Sequence, residues 1–182
     1  MTKLIVCLTG MPGAGKSTIA EGLKTKGYDA INMGNVVRAE AKKRNLEPTS
    51  INLGKLMIEL REKNGPGAIA HLVIPEIENS KSNVVIIDGV RSNAEIDVLK
   101  KYGTVKLLAI HASTDRRFEF LQQRGRSDDP KTKENFEERD TRELGVGISN
   151  SIALSDDAIT NNNKTKEELI EATFRKIQSW LE

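Results

Sequence analysis

"LIVCLTGMPGAGKSTIAEGL", Leu4 to Leu23, constrains the fold more than any other stretch of this 182-residue chain. A short apolar run meets a glycine-rich turn, and a helical pattern starts immediately after it. Gly10, Gly15, Lys16 and Ser17 occupy every fixed place of G-x-x-x-x-G-K-[ST], a loop that holds phosphates between a strand and a helix. Gly13 and Gly15 permit backbone geometry closed to other residues, so the N–H groups of Met11 to Ser17 can point into one cavity. The positive end of the following helix adds to the same field. The expected triphosphate-binding set is therefore Gly10, Met11, Pro12, Gly13, Ala14, Gly15, Lys16, Ser17 and Thr18. Lys16 supplies a charge for the β- and γ-phosphates and Ser17 a hydroxyl for Mg²⁺.

Five short apolar runs recur along the chain: Leu4–Thr9, Ala30–Asn32, Val84–Asp88, Val105–Ile110 and, more weakly, Ala158–Thr160. Continuous apolar, β-branched runs alternating with helical patterns predict parallel strands buried on both faces, hence an α/β sheet with helices on each side. Ligands of such sheets sit beyond the carboxyl ends of the strands. Gly10, Asn32 to Arg38, Asp88 to Arg91 and His111 all follow strand ends. Helices are expected over Ser17–Lys26, Val36–Arg44, a stretch after Ser50, Ala68–Glu78 and Lys164–Leu181, with "NGPG" at Asn64–Gly67 as a break. About fifty residues of helix separate the second and third strands, far more than an ordinary crossover, which reads as a helical insert beside the sheet.

Asp88 ends the run "VVIIDG" and is the natural second anchor for Mg²⁺, unless it only closes a strand-end turn. A GTPase switch is disfavoured, because "NKTK" at Asn163–Lys166 lacks the acid of N-K-x-D. With 28 basic and 26 acidic residues the charge is nearly balanced, which argues against a nucleic acid or a membrane as the main partner. The single cysteine, Cys7, lies in the first apolar run, and no membrane span is visible; both point to a reducing, cytoplasmic setting. One cysteine and two histidines leave no basis for a zinc site. The segment "RGRSDDPKTKENFEERDTRE", Arg124 to Glu143, is almost wholly charged, and a solvated salt-bridge helix is its plainest explanation.

Together, "GMPGAGKST", "INMGNVVR", "VIIDGVR" and "RGRSDDP…ER" resemble the four signature segments of the nucleoside monophosphate kinases, most closely the archaeal adenylate-kinase-related proteins. The segment "DDAITNNNKTKEEL" is also similar to the dephospho-coenzyme A kinases. The resemblance implies one P-loop nucleotide kinase domain over residues 1–182, with a five-stranded parallel sheet, a helical acceptor-binding insert at 35–80 and a short lid at 124–145. It implies ATP and a nucleotide acceptor as partners and Mg²⁺ as cofactor, and it fixes no oligomeric state. By position, Gly34, Asn35, Arg38, Asp88, Gly89 and Arg91 would grip the acceptor, although the stretch before Arg91 is one residue shorter than D-G-F-P-R. An arginine fork suits a terminal phosphate because two parallel charge-assisted bonds fix its orientation.

Arg124, Arg126 and either Arg139 or Arg142, with Arg139 favoured, would be the lid cations that act on the transferring group, and Asp128 and Asp129 would pair with them. Arg124 also belongs to the expected ATP set, as does Asn161 beside the adenine. An ionised phosphate acceptor needs no protein base, whereas a hydroxyl acceptor wants a carboxylate, and Asp88 is the one obvious candidate. AMP is therefore favoured as acceptor over dephospho-coenzyme A or an RNA end. A regulatory protein that binds ATP or AMP without turnover would use the same residues.

Overall fold

A computed structural model of the chain describes residues 3–182. Five strands form one sheet: β1 (Leu4–Thr9), β2 (Asp29–Asn32), β3 (Val84–Asp88), β4 (Thr104–His111) and β5 (Asp157–Thr160). Their order is β2-β3-β1-β4-β5, and every pairing is parallel. The central strands β1 and β3 are buried along their whole length, as continuous apolar runs demand of a sheet covered on both faces.

Alternation along the strands divides the core in two. Ile5, Cys7, Val85 and Ile87 face α2 (Met33–Lys43), α3 (Ser50–Asn64), α4 (Ala68–Asn79) and α5 (Asn93–Leu99). Leu4, Val6, Leu8, Val84 and Ile86 face α1 (Lys16–Lys24) and α9 (Lys166–Leu181). Each fully buried Ile, Leu or Val side chain contributes about 1.5–3 kcal/mol of transfer free energy. Burial among these residues pushes the Cys7 thiol well up, so it stays protonated and inert.

Three further helices close the C-terminal end of the sheet: α6 (Thr114–Arg124), α7 (Lys133–Val146) and α8 (Ile148–Ala153). The buried hydroxyl pair Thr9–Ser151, 2.7 Å apart, ties α8 to the end of β1.

Several helix boundaries differ from the sequence expectation, and capping explains them. The side chain of Asn32 accepts from Asn35 N at 2.8 Å, which starts α2 at Met33 rather than Val36. Gly34 and Asn35 consequently lie in the first helical turn and not in a loop. Thr165 and Glu168 form a reciprocal capping box, which sets the start of α9 at Lys166 rather than Lys164. The first helix stops at Lys24, two residues before the expected end. The charged segment after Arg124 is not a solvated helix throughout: Phe136 and Glu143 of α7 are buried.

Candidate active site

The loop from Gly10 to Gly15 crosses the carboxyl end of β1 and delivers Lys16 and Ser17 to the start of α1. Gly13 and Gly15 adopt φ of +85° and +110°. A Cβ at Gly13 would lie 2.5 Å from the Arg117 carbonyl oxygen, and one at Gly15 would lie 2.6 Å from Asn161 Nδ2. Both conformation and space therefore require glycine. The loop is held from outside by two side chains. Asn161 Nδ2 donates to Ala14 O at 3.0 Å, and Arg117 Nη1 donates to Pro12 O at 3.1 Å.

Lys16 curls onto its own loop and donates from Nζ to Gly10 O at 2.6 Å and Met11 O at 3.1 Å. Part of its surface stays open to the cleft while protein atoms crowd it elsewhere, and this desolvation pulls its ammonium down to about 8 against the pull of Asp88. An anionic ligand restores the charged form, so nucleotide binding near pH 8 should take up a fraction of a proton, and affinity should fall as pH rises through 8. For stability the sign is the reverse: the buried charge is a cost below about pH 8 that is relieved as pH climbs toward the ordinary lysine value. Calorimetric titration of ATP at pH 8 in buffers of different ionisation enthalpy checks this; identical heats in all buffers would contradict it.

Asp88, 2% exposed, ends β3 directly across from the loop. Ser17 Oγ donates to Asp88 Oδ2 at 2.8 Å, and Asn32 Nδ2 donates to the same oxygen. Gly89 and Val90 then turn the chain under β1 through hydrogen bonds to Leu8 O, carrying Arg91 to the opposite wall.

These elements enclose a cavity of about 340 Å³. Its floor holds Gly10, Lys16, Ser17 and Asp88, and Gly34, Arg38 and Arg91 line the side formed by α2 and the β3–α5 turn. Arg124, Arg126 and Arg139 line the roof, and Phe120, Gln123, Lys164 and Lys166 the far end. Asp88 and Glu143 are the only carboxylates among the described lining residues. An enclosed cationic cleft of this kind concentrates polyanions.

Most of the arginines are paired. Arg38 Nη2 meets Asp128 at 2.9 Å and 3.1 Å, and Arg38 Nη1 donates to Asn35 Oδ1 at 2.9 Å. Arg124 holds Asp129 from two nitrogens. Arg139 donates to the Asp128 carbonyl at 3.0 Å and to Asp129 Oδ1 at 3.3 Å. Arg142 is turned away to Ser50, at 2.9 Å and 3.0 Å, where it fastens α7 to α3. Among the described residues Arg126 forms no ion pair; burial and then repulsion from Arg124 and Arg38 lower its pKa.

Three contributors were not visible in the sequence. Arg117, Glu143 and the pair Lys164 and Lys166 stand on elements whose mutual approach is tertiary, and Arg91–Glu143 and Arg117–Asp140 span 52 and 23 residues. Asn161, expected beside a donor base, spends its amide N–H₂ on the loop carbonyl while its residue still lines the cleft.

A five-stranded parallel sheet, a phosphate loop after β1 and a cleft roofed by arginines define a P-loop kinase type of fold. The chain belongs to the AAA domain family, whose model matches residues 9–137, and to the UPF0200 proteins. It is 42% identical to the UPF0200 protein of Pyrococcus abyssi over 182 residues, covering 96% of this chain and 97% of the relative. A UPF0200 protein of Methanocaldococcus jannaschii is 43% identical over 166 residues, covering 90% and 84%. Among solved structures, shikimate kinase from Bacteroides thetaiotaomicron superposes with a TM-score of 0.61 at 17% identity, covering 98% of both chains. A sugar kinase from a Janibacter species gives 0.57 at 18%, covering 98% and 95%. Those two likenesses concern the fold. No helix among the described residues is long and apolar enough to cross a membrane.

Proposed function

We propose that the protein is an ATP-dependent phosphotransferase that moves the γ-phosphoryl group of Mg·ATP to a nucleoside monophosphate, with AMP favoured. One observation carries this: a single cleft presents Lys16 and the Ser17–Asp88 pair on its floor, Arg38 and Arg91 along its side and Arg126 and Arg139 in its roof. Two phosphate-bearing molecules facing each other account for cations on both sides; one nucleotide accounts for only the floor.

Ser17 Oγ and Asp88 Oδ2, hydroxyl and carboxylate oxygens in contact at a strand end, suit a hard cation that keeps waters and phosphates as its other ligands. Mg²⁺ bound there would neutralise charge on the β- and γ-phosphates. The loop amides and Lys16 hold the donor, and Arg38 and Arg91 orient the acceptor phosphate. Arg126 and Arg139 from the roof stabilise the charge that spreads over the equatorial oxygens during transfer. The acceptor phosphate is already ionised, so no covalent intermediate or protein base is required.

The Arg126 side chain has no partner among the described residues to leave stranded, and as a roof cation of the proposed reaction its loss in Arg126→Ala is expected to lower kcat by about 10²–10³-fold. Its unfolding free energy should stay within about 0.5 kcal/mol of the parent. Steady-state kinetics beside a thermal melt checks both; an unchanged kcat would remove Arg126 from the site.

ADP release from Mg·ATP against AMP, CMP, UMP, GMP, dephospho-coenzyme A and a short RNA tests the proposal. Stimulation by a monophosphate supports it. Tight binding of ATP and AMP with no acceptor-dependent turnover would replace it with a regulatory nucleotide-binding role.

A further inference from the structure

Arg91 is gripped from one side only. Its Nε donates to Oε2 of Glu143, and the two side chains are 15% and 4% exposed. Its backbone N–H donates to Glu95 at 2.8 Å, which fixes the loop that carries it. Neither Nη atom of Arg91, nor Oε1 of Glu143, makes a hydrogen bond among the described residues. Among the described residues only Arg61 Nε is a fully buried side-chain polar atom without a partner, so these Arg91 and Glu143 atoms are open to solvent, and both residues line a cleft from which a ligand can reach them.

Arg91 and Glu143 stand in the walls of two cavities, the main cleft and a smaller one of about 40 Å³ between α2, α3 and α7. Val37, Leu53 and Met57 line the smaller one. The other carboxylate of the main cleft, Asp88, is engaged by Ser17 and Asn32. Oδ1 of Asp88 also lacks a hydrogen bond among the described residues, but Asp88 stands beside Ser17 at the phosphate loop, so Glu143 is the carboxylate with an open oxygen on the Arg91 side of that cleft. Burial pushes its carboxyl up, but Arg91 and Arg139 outweigh burial and keep it ionised. Because the pair is neutral overall, it adds direction to the site rather than attraction.

We propose that Glu143 and Arg91 read the acceptor jointly. The open Nη edge of Arg91 takes an anionic oxygen, and Oε1 of Glu143 takes a hydroxyl or amino hydrogen of the same molecule. The inference rests on the phosphotransferase reading and narrows its substrate class: the acceptor carries a hydrogen-bond donor beside its anionic group, as the ribose hydroxyls of a nucleoside monophosphate provide. Glu143 binds substrate in this account, whereas a Glu143 that merely props Arg91 would be blind to that donor.

The discriminating experiment compares kcat/KM for AMP, 2′-deoxy-AMP and 3′-deoxy-AMP, first on the unaltered protein. Loss of a hydrogen bond to a charged group predicts a drop of about 10- to 100-fold for at least one analogue. Glu143→Gln keeps an oxygen for Arg91 Nε and can replace the other with an N–H₂ donor. It should therefore lose a similar factor on AMP and no longer separate AMP from that analogue, with a melting temperature recorded alongside. Equal turnover of all three nucleotides by the unaltered protein overturns the inference, and so does a folded variant that still separates them. Those outcomes leave the phosphotransferase reading standing. Absence of any monophosphate binding by calorimetry, with no turnover, would overturn both.

Discussion

Lys16→Ala is expected to cut phosphoryl transfer by about 10³-fold while melting at or above the temperature of the parent protein. The two halves of this result have one cause. Lys16 is a desolvated ammonium that burial pulls down to about 8, so its charge costs the empty protein stability. In the proposed reaction the same charge neutralises the β- and γ-phosphates, from a loop whose Gly10 and Met11 carbonyls its Nζ contacts. Truncation relieves the cost and removes the function. Kinetics with saturating Mg·ATP beside a thermal melt would check it. A variant that loses activity only because it unfolds would place Lys16 among the supports of the fold.

The second large effect is the opposite kind. Arg117→Ala should lower stability by about 3 kcal/mol, or a melting temperature shift of roughly 6–12 °C for a chain of this size. Arg117 is 5% exposed and bonds Asp140 through both Nη atoms, at 2.9 Å and 2.6 Å. Its guanidinium also lies 4.8 Å from the centroid of the Phe136 ring. Removing it leaves Asp140 unpartnered at the junction of α6 and α7; its side chain, 17% exposed, draws some relief from solvent, which sets the estimate at the low edge for a broken buried pair. Arg117→Lys should recover only part of the loss, since an ammonium cannot make the two-pronged contact. A variant melting within about 2 °C of the parent, no more than the shift that about 1 kcal/mol produces, would contradict this account.

The sheet was legible because its signal is local. Five consecutive apolar residues and Thr9 before Gly10, and Val84–Asp88 before the turn at Gly89, announce buried parallel strands without reference to anything distant. The phosphate loop was legible because its glycines and lysine occur at fixed spacing. By contrast α5, seven residues capped by Ser92, is too short for its periodicity to stand out between Arg91 and β4. The segment from Arg124 to Glu143 misleads through composition. Its charges read as solvent-facing, yet Asp128, Asp129 and Glu143 are buried against arginines of α2, α6, α7 and the β3–α5 turn. Such pairs reach across the tertiary structure, and spacing along one chain cannot show them. The same limit concealed Arg117 and the cleft-lining Lys164 and Lys166, while Arg38, Arg91, Arg126 and Arg139 were reached only through resemblance.

Phosphorus-31 magnetic resonance of Mg·ATP and AMP incubated with the protein tests the central claim most directly, since it separates transfer from hydrolysis. The account predicts growth of the β-phosphorus signal of ADP in step with loss of AMP and of the γ-signal of ATP, without comparable inorganic phosphate, and no change with the Lys16→Ala variant. Inorganic phosphate appearing alone while AMP persists, or an unchanged spectrum with both nucleotides bound, would contradict it.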